Sequence, residues 1–266
     1  MTVLIALMAG VLGLVVGSFA NVPIARWPNG GTVTQPTRST CPVCDAPIRG
    51  RDNIPVVSWL LLRGRCRDCG APISPRYLVV EVATGALFAG VAAVWGLDPL
   101  LPALLVFTWA LVVATAIDLE HQIIPNRLTY PLPGVLLVLV VGAIAIDGDW
   151  TDLRRALIAM VAVPGTMLAL SEAFRLLRGK VGMGMGDIKL AVSIGLVIGA
   201  LGAWHLVVFA YGTIISAGVI AIGLVVAGKV TVASRIPFGP YLAVGAMLTV
   251  LAGDPLTQLV RGWLGL

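Results

Sequence analysis

Long apolar runs alternate with short polar segments along almost the whole chain, and the longest polar stretch covers residues 21–77. The first run, residues 3–20, approaches the roughly 20 residues that a helix needs to cross a bilayer. It has no basic start and no small-residue cleavage site, so we interpret it as a membrane helix rather than a signal peptide. The pattern predicts eight membrane helices, the last of them short. The other seven runs centre on residues 78–96, 99–117, 129–146, 154–174, 188–203, 205–227 and 240–253.

The composition supports the membrane class. Of 266 residues, 58% are hydrophobic and 12% are charged, whereas about 25% of a soluble domain is charged. A membrane β-barrel would need short alternating strands, and these runs are long and unbroken. We expect an all-α polytopic membrane protein with a transmembrane helix over residues 1–20, a soluble loop over 21–77 and a seven-helix membrane domain over 78–266.

The basic residues are distributed unevenly between the loops. Fifteen of the eighteen lie in segments 21–77, 118–128, 175–189 and 228–239, while the opposite loops are short and acidic. By the positive-inside rule, these four loops are cytoplasmic and both termini of an eight-helix chain face outward. The distribution of basic residues that gives the formal charge of +5 is therefore explained by the orientation of the chain in the membrane. Membrane lipid is the expected surrounding, and nucleic acid is not an expected partner because no arginine–aromatic groove pattern is visible.

All four cysteines lie in the polar stretch as two Cys-x2-Cys pairs, Cys41 with Cys44 and Cys66 with Cys69. Two such pairs can bring four thiolates to one tetrahedral zinc ion, which is the usual closed structural site. Two disulfides or a redox pair are the alternatives. A cytoplasmic loop is reducing, which disfavours lasting disulfides. The spacing predicts structural Zn²⁺, with no coordination position left for catalysis.

Two acids border the membrane runs. Asp118 ends the third run and Asp187 begins the sixth, so alternating crossings place both at the same face. Two neighbouring carboxylates can share one proton and activate water against a peptide bond. Solvated helix caps are the alternative, but Gly184 and Gly186 beside Asp187 would let the backbone approach a substrate. Lys189 either keeps Asp187 ionised or only marks the inside.

Five motifs spread over nearly the whole chain occur together. They are GMGD at 184–187, Asp118 followed by Ile124-Pro125-Asn126, the tetracysteine loop, GSFANVPIARWP at 17–28, and PFGPYLA at 237–243. In combination they resemble the bacterial type IV prepilin peptidases. One departure is Pro23, which stands where that family often has valine or another apolar residue.

The resemblance implies a polytopic aspartyl protease of the bacterial inner membrane, with Asp118 and Asp187 as catalytic acids and the four cysteines as zinc ligands. Its substrates would be prepilins or type II secretion pseudopilins, cut on the cytoplasmic side after a glycine and usually before a phenylalanine. The resemblance also implies that a cysteine-bearing form methylates the new N-terminal amine with S-adenosylmethionine. Gly64 matches a family glycine linked to methyl transfer, although a plain turn glycine would give the same pattern.

Three points stay open at this level. Glu81, at the start of the second run, is either a buried or interfacial acid beside an arginine or a residue that binds the methyl donor. The peptidase could lack methyltransferase activity. Acids near membrane helices also occur in ion-coupled transporters, and a zinc loop could belong to an assembly scaffold.

Overall fold

The computed structural model describes residues 1–35, 38–179, 182–228 and 237–263. Apart from two isolated β-bridges, regular structure in these residues is helical. Lys180, Lys229 and Arg235, which contribute to the predicted charge asymmetry, lie outside the described residues. The α-helices are α1 (Thr2–Arg26), α2 (Val57–Leu61), α3 (Pro75–Trp95), α4 (Leu101–His121), α5 (Asn126–Thr129), α6 (Pro131–Asp147), α7 (Trp150–Arg178), α8 (Met185–Leu201), α9 (Ala203–Val226) and α10 (Gly239–Trp263).

Seven segments in the described part of the chain are long and apolar enough to cross a membrane by length and composition. They contain α1, α3, α4, α6, α7, α9 and α10. The remaining predicted run forms α8, which has 17 residues and is buried along most of its length. Each of the eight predicted runs thus corresponds to one long helix, and the predicted all-α polytopic fold is confirmed.

The helix ends differ from the ends of the apolar runs. α1 continues six residues beyond residue 20, through Pro23 to Arg26. Asn21 is buried there because its side-chain amide donates to the carbonyl oxygens of Gly17 and Tyr77, at 3.4 and 3.3 Å. A buried polar residue whose side chain has hydrogen-bond partners need not end a helix, so the apolar pattern underestimated the length of α1.

Residues Met1–Leu97 form one compact unit. Its two long helices, α1 and α3, approach closely because small residues line their contact. A Cβ atom on Gly13 would lie 2.8 Å from Cα of Gly85, and one on Gly17 would lie 2.9 Å from Cβ of Thr84. Small residues at such crossings let helix backbones pack without a side chain between them, which is the usual source of association in lipid.

Residues Asp98–Leu266 form the second compact unit, and α8 lies at its centre. α8 contacts α4, α5, α6, α7, α9 and α10. Gly195 and Gly199 lie directly against Ala159 and Ala156 of α7, leaving no room for a side chain. A helix enclosed in this way is apolar on all sides. The first turn of α8 therefore carries Asp187 into the interior of the unit.

Candidate active site and metal centre

The cysteines belong to two knuckles with the same backbone pattern, residues 40–47 and 65–72. In each, the N–H of the first cysteine donates to the carbonyl five residues later, and its carbonyl accepts from the N–H four residues later. Asp45 (φ 56°) and Gly70 (φ 72°) occupy the same left-handed position of the two turns. The two knuckles are therefore structural repeats, and each presents two thiols.

The thiol positions suit one tetrahedral metal ion. The four Sγ atoms lie within 4.8 Å of one another, and those of Cys41 and Cys69 are 3.8 Å apart. Zn–S bonds of roughly 2.3 Å place tetrahedral sulfur atoms about 3.8 Å apart. All four cysteines are free thiols. Hydrogen bonds from the backbone N–H groups of Val43 and Cys44 lower the pKa of Cys41 to about 7. Against a backbone hydrogen bond at Ala46, the neighbouring thiol of Cys69 raises the pKa of Cys44 to about 12. The donor set fits structural zinc.

Two ion pairs join the second knuckle to the segment before α2. Arg67 forms a bidentate pair with Asp52, with hydrogen bonds of 2.7 to 3.0 Å. These bonds hold the pKa of Asp52 below its usual value. Arg49 donates to Asp68 at 3.0 Å. Arginine–carboxylate pairs with such geometry add orientation as well as energy, so they position the loop around the thiols.

Gly64 lies between α2 and the second knuckle in a left-handed conformation (φ 64°). A Cβ atom there would lie 2.8 Å from Cζ2 of Trp59. The N–H of Gly64 donates to the carbonyl of Trp59 at 2.9 Å, and its carbonyl accepts from Ile73 at 2.7 Å. The indole N–H of Trp59 is buried and has no hydrogen-bond partner among the described residues. The glycine thus lets the turn pack directly against this indole ring.

Glu81 is in the second turn of α3 and is only 8% exposed. Its Oε2 accepts a hydrogen bond of 2.7 Å from the backbone N–H of Val56. Glu81 therefore contacts the backbone immediately before α2, and α2 carries Trp59. Gly64 and Glu81, for which the sequence suggests a role in methyl transfer, are thus connected through Val56, α2 and Trp59.

Asp118 lies one turn before the end of α4 and is 5% exposed. Its burial follows from the packing of α4 against α6, α8 and α10. The backbone N–H of Gly239, the first residue of α10, donates to Oδ2 of Asp118 at 3.0 Å. A buried carboxylate needs such a donor, and here the PFGP segment supplies it.

Asp187 is in the first turn of α8 and is 7% exposed. Its carboxylate interacts electrostatically with that of Asp118. Oδ1 of Asp187 is buried without a hydrogen-bond partner in the part of the chain that the structure describes. A Cβ atom on Gly184 would lie 2.9 Å from Oδ2, so glycine leaves room for this side chain. An unpartnered buried carboxylate oxygen is costly and typical of a functional site.

Ile124 lies against two backbones at the site: that of Gly186, beside Asp187, and that of Gly239, which donates to Asp118. A Cβ atom on Gly186 would lie 3.0 Å from Cβ of Ile124, and one on Gly239 would lie 3.2 Å from its Cδ1. The added atom on Gly239 would also lie 2.7 Å from Oδ2 of Asp118. Both glycines therefore allow close approach at this point. Larger side chains would displace Ile124 or the carboxylate of Asp118.

Lys189 follows Asp187 in α8 and binds the segment after α4. Its Nζ donates to Oδ1 of Asn126 at 2.8 Å and to the hydroxyl of Tyr130 at 3.1 Å. The same ammonium group lies 4.8 Å from the centroid of the Tyr130 ring. These contacts join α8 to α5, which begins two residues after Ile124.

Sequence reasoning did not assign roles to several residues that the structure places at the two sites. The proline–glycine pattern of PFGPYLA could have suggested a close approach at Gly239, but nothing local identified Asp118 as its neighbour. The partners of Lys189 lie 63 and 59 residues away. The overlooked residues are Gly239, Ile124, Asn126, Tyr130, Trp59 and Val56.

A multi-pass helical bundle with two buried aspartates that interact electrostatically has the arrangement expected of a membrane aspartic peptidase. Comparison with known families specifies the class further. The model of the bacterial peptidase A24 N-terminal domain matches residues 11–95, and the model of the type IV leader peptidase family matches residues 105–226. The chain belongs to the type IV leader peptidase family, whose members are aspartic peptidases.

Three curated relatives are similar to this chain over most of its length, and each is named prepilin leader peptidase/N-methyltransferase. The relative from Aeromonas hydrophila is 38% identical, covering 92% of this chain and 90% of its own. The relative from Neisseria gonorrhoeae is 37% identical over 97% of this chain and 94% of its own length. That from Dichelobacter nodosus is 36% identical, with 94% and 92% covered. No solved structure matches the chain significantly.

Proposed function

We propose that this protein is a multi-pass inner-membrane enzyme that removes the leader from type IV prepilins or pseudopilins and methylates the new N-terminus. The observation that carries the peptidase activity is the pair of buried carboxylates, Asp118 and Asp187, held at the ends of two packed helices. Both lie within one turn of a helix end. This placement favours a peptidase over a transporter, in which ionisable groups lie along a path through the midplane.

Peptide hydrolysis follows from one proton shared between the two acids. The ionised carboxylate accepts a proton from water as the water oxygen bonds to the scissile carbonyl carbon. The protonated partner donates to the carbonyl oxygen, and collapse of the tetrahedral species breaks the C–N bond as the leaving nitrogen takes a proton. Gly239 orients Asp118 through its N–H. The unpartnered Oδ1 of Asp187 is available to water or substrate.

The second activity belongs to the cysteine-bearing part, for which we propose residues 21–77 as a zinc domain between α1 and the membrane domain 78–266. S-adenosylmethionine supplies the methyl group. The indole of Trp59, with its unpartnered buried N–H beside Gly64, offers an aromatic surface and a donor that suit such a ligand. Gly64 shapes this surface, and Glu81 supports it through Val56. Zinc holds the two knuckles together and has no open position for chemistry.

The substrate and its orientation complete the proposal. The positive-inside rule places the zinc domain and both aspartates at the cytoplasmic face, with both termini outside. A prepilin with an apolar helix after its leader would lie in the membrane with its Gly–Phe bond at that face. Small residues in the protein's own helices permit close packing with such a helix.

Cleavage of a prepilin peptide tests the peptidase proposal directly. The peptide has a basic leader, a Gly–Phe bond and an apolar helix, and is mixed with the detergent-solubilised full chain. We expect Asp118→Asn and Asp187→Asn each to reduce cleavage by at least about 10³-fold, because neither can complete the shared-proton pair. Mass spectrometry after addition of S-adenosylmethionine measures the gain of a methyl group separately.

Asp147→Asn is the matched control, because Asp147 is an exposed acid at the end of α6. It should cleave like the unaltered protein. Substantial cleavage by either Asp118→Asn or Asp187→Asn would exclude the paired-acid mechanism. An intact peptide in the presence of folded, unaltered protein would favour the transporter or scaffold alternative.

A further inference from the structure

The backbone at residues 55–57 adopts an uncommon turn. The N–H of Val57 donates to the carbonyl of Pro55 at 2.6 Å, which closes a three-residue γ-turn. Val56 is the central residue, with φ 63° and ψ −51°. This is the rare, strained form of the γ-turn, whose central residue has positive φ. The turn immediately precedes α2.

Valine is unfavourable at this position. A β-branched side chain with positive φ is a genuine outlier, because its Cβ substituents crowd the backbone. Glycine would adopt the same angles at little cost. Strained backbone of this kind persists where surrounding contacts determine it, and such places cluster at functional sites.

A buried carboxylate supplies the determining contact. The N–H of Val56 donates to Oε2 of Glu81 at 2.7 Å, a short charge-assisted hydrogen bond. Glu81 is 8% exposed and belongs to α3, a long helix packed against α1. The turn is thus attached to a rigid element of the same compact unit, 25 residues away along the chain.

Local hydrogen bonds connect the turn to the first residues of α2, so the position of the turn determines where α2 begins. Oγ of Ser58 accepts from the N–H of Ile54 at 2.9 Å and donates to the carbonyl of Arg51 at 3.0 Å. The first N–H groups of α2 donate to the carbonyls of Ile54 and Val56. One turn further, Trp59 packs against Gly64, two residues before the second knuckle begins its thiol pair. The orientation of the Trp59 ring therefore depends on the turn at Val56.

We propose that Glu81 is a positioning residue of the methyltransferase part: it holds the strained turn at Val56 and so fixes α2 and Trp59 beside Gly64, without contacting the methyl donor. This inference rests on the proposed function for its catalytic consequence. The structural consequence, a rigid segment 54–61, does not depend on that function. An experiment can therefore exclude the catalytic consequence without excluding the structural one, and the reverse.

Loss of the carboxylate should loosen the segment, and relief of the strain should restore it. In the full chain purified with zinc, we expect Glu81→Ala to increase proteolysis and hydrogen exchange of residues 54–61 about tenfold. Its methyl transfer to a pre-cleaved peptide should fall through kcat by a similar factor. Glu81→Gln retains an acceptor oxygen and should remain within about threefold of the unaltered protein.

Val56→Gly in the Glu81→Ala background tests the mechanism itself. Glycine accepts the turn without strain, so protection and methyl transfer should both recover most of their loss. Val57→Gly is the matched control, because it alters the neighbouring valine at an ordinary helical position and should not restore either property. Zinc content is measured in every variant to confirm that the knuckles remain folded.

Other results would overturn the inference. If Glu81→Ala left the protection of residues 54–61 unchanged, Glu81 would not hold the turn. If Val56→Gly restored protection without methyl transfer, Glu81 would act on the donor directly. If the unaltered protein transferred no methyl group, the proposed second activity would fail, while the exchange measurements would still decide the role of Glu81.

Discussion

The four-thiol cluster and the aspartate pair are held in place by different means. The thiols come from two short repeats within residues 40–72. Ion pairs orient the loop around them, and the donor set fits a metal ion that would join the two repeats. The two aspartates are 69 positions apart in the chain and are positioned by helix packing, with glycines at the closest contacts. The first arrangement concentrates polar cross-links in a loop, and the second relies on the shape of buried helices.

This difference has a physical origin. A loop of about fifty residues has little apolar area to bury, so a metal ion bound by the four thiols would supply much of its folding free energy. The helical unit buries apolar surface along α8 on every side, and it can hold two carboxylates that are costly to bury. We therefore expect the loop to lose its metal when one cysteine is removed. We expect the aspartate pair to lose activity when a glycine beside it is replaced by alanine.

The largest expected effect is the loss of zinc from cysteine variants. Cys41→Ser and Cys66→Ser each remove one ligand of a tetrahedral site, and we expect zinc to fall from about one ion per chain to near zero in protein purified without chelator. Residues 40–72 should then become accessible to protease, because few other contacts hold the two knuckles together. Atomic absorption and limited proteolysis measure the two consequences.

Ser39→Ala is the control for this experiment, because it changes a residue of the same loop that contributes no thiol. It should retain the metal. Undiminished zinc in both cysteine variants would exclude the four-thiol site, and retention by one alone would remove that cysteine from the ligand set.

A smaller effect is expected from one added methyl group at the aspartate pair. The Cβ atom introduced by Gly239→Ala would lie 2.7 Å from Oδ2 of Asp118 and 3.2 Å from Cδ1 of Ile124. Displacement of a catalytic group by a fraction of an ångström to one ångström can cost about 10²-fold in rate. We expect cleavage of the prepilin peptide to fall by roughly 10- to 100-fold through kcat, with KM little changed.

Gly262→Ala provides a matched control in the same helix, because a Cβ atom there would meet no atom of the described residues within 4 Å. It should cleave normally and unfold at the same temperature. If Gly239→Ala were as active as Gly262→Ala, the approach of the PFGP segment to Asp118 would have no catalytic role.

The same contrast explains what could be predicted from the sequence. Zinc ligands within a few residues of one another leave a local signature, and eight apolar runs predict eight helices. The bond from Gly239 to Asp118 joins residues 121 positions apart, and no local rule reveals it. Polar residues that end an apolar run also need not end a helix, since Asn21 continues α1 with its side chain bonded to carbonyl oxygens.

The turn at Val56 illustrates a different limit. Local preference argues against positive φ at a β-branched residue, so the sequence predicts ordinary backbone there. The preference is overridden by a carboxylate from α3, whose burial depends on tertiary packing. Sequence reasoning therefore named Glu81 as a candidate but could not state what it contacts.

The smallest of these effects concerns Lys189, which lies two residues after Asp187 in α8. Its ammonium group binds Asn126 and Tyr130 and so fixes α5 against α8. Lys189→Met keeps the aliphatic chain and removes both hydrogen bonds, which are partly exposed and worth about 1 kcal/mol together. We expect prepilin cleavage to fall about fivefold, with a slight decrease in thermal stability.

Tyr130→Phe removes one acceptor and keeps the ring under the ammonium group, so it should produce a smaller loss than Lys189→Met. If Lys189→Met lost cleavage as completely as Asp187→Asn, Lys189 would instead act on the carboxylate of Asp187 itself. Unchanged cleavage in Lys189→Met, with the same decrease in stability, would confine the residue to holding the helices together. The loss of cleavage in Lys189→Met thus distinguishes two roles for Lys189: a charge that acts on the carboxylates, and a contact that only packs α5 against α8.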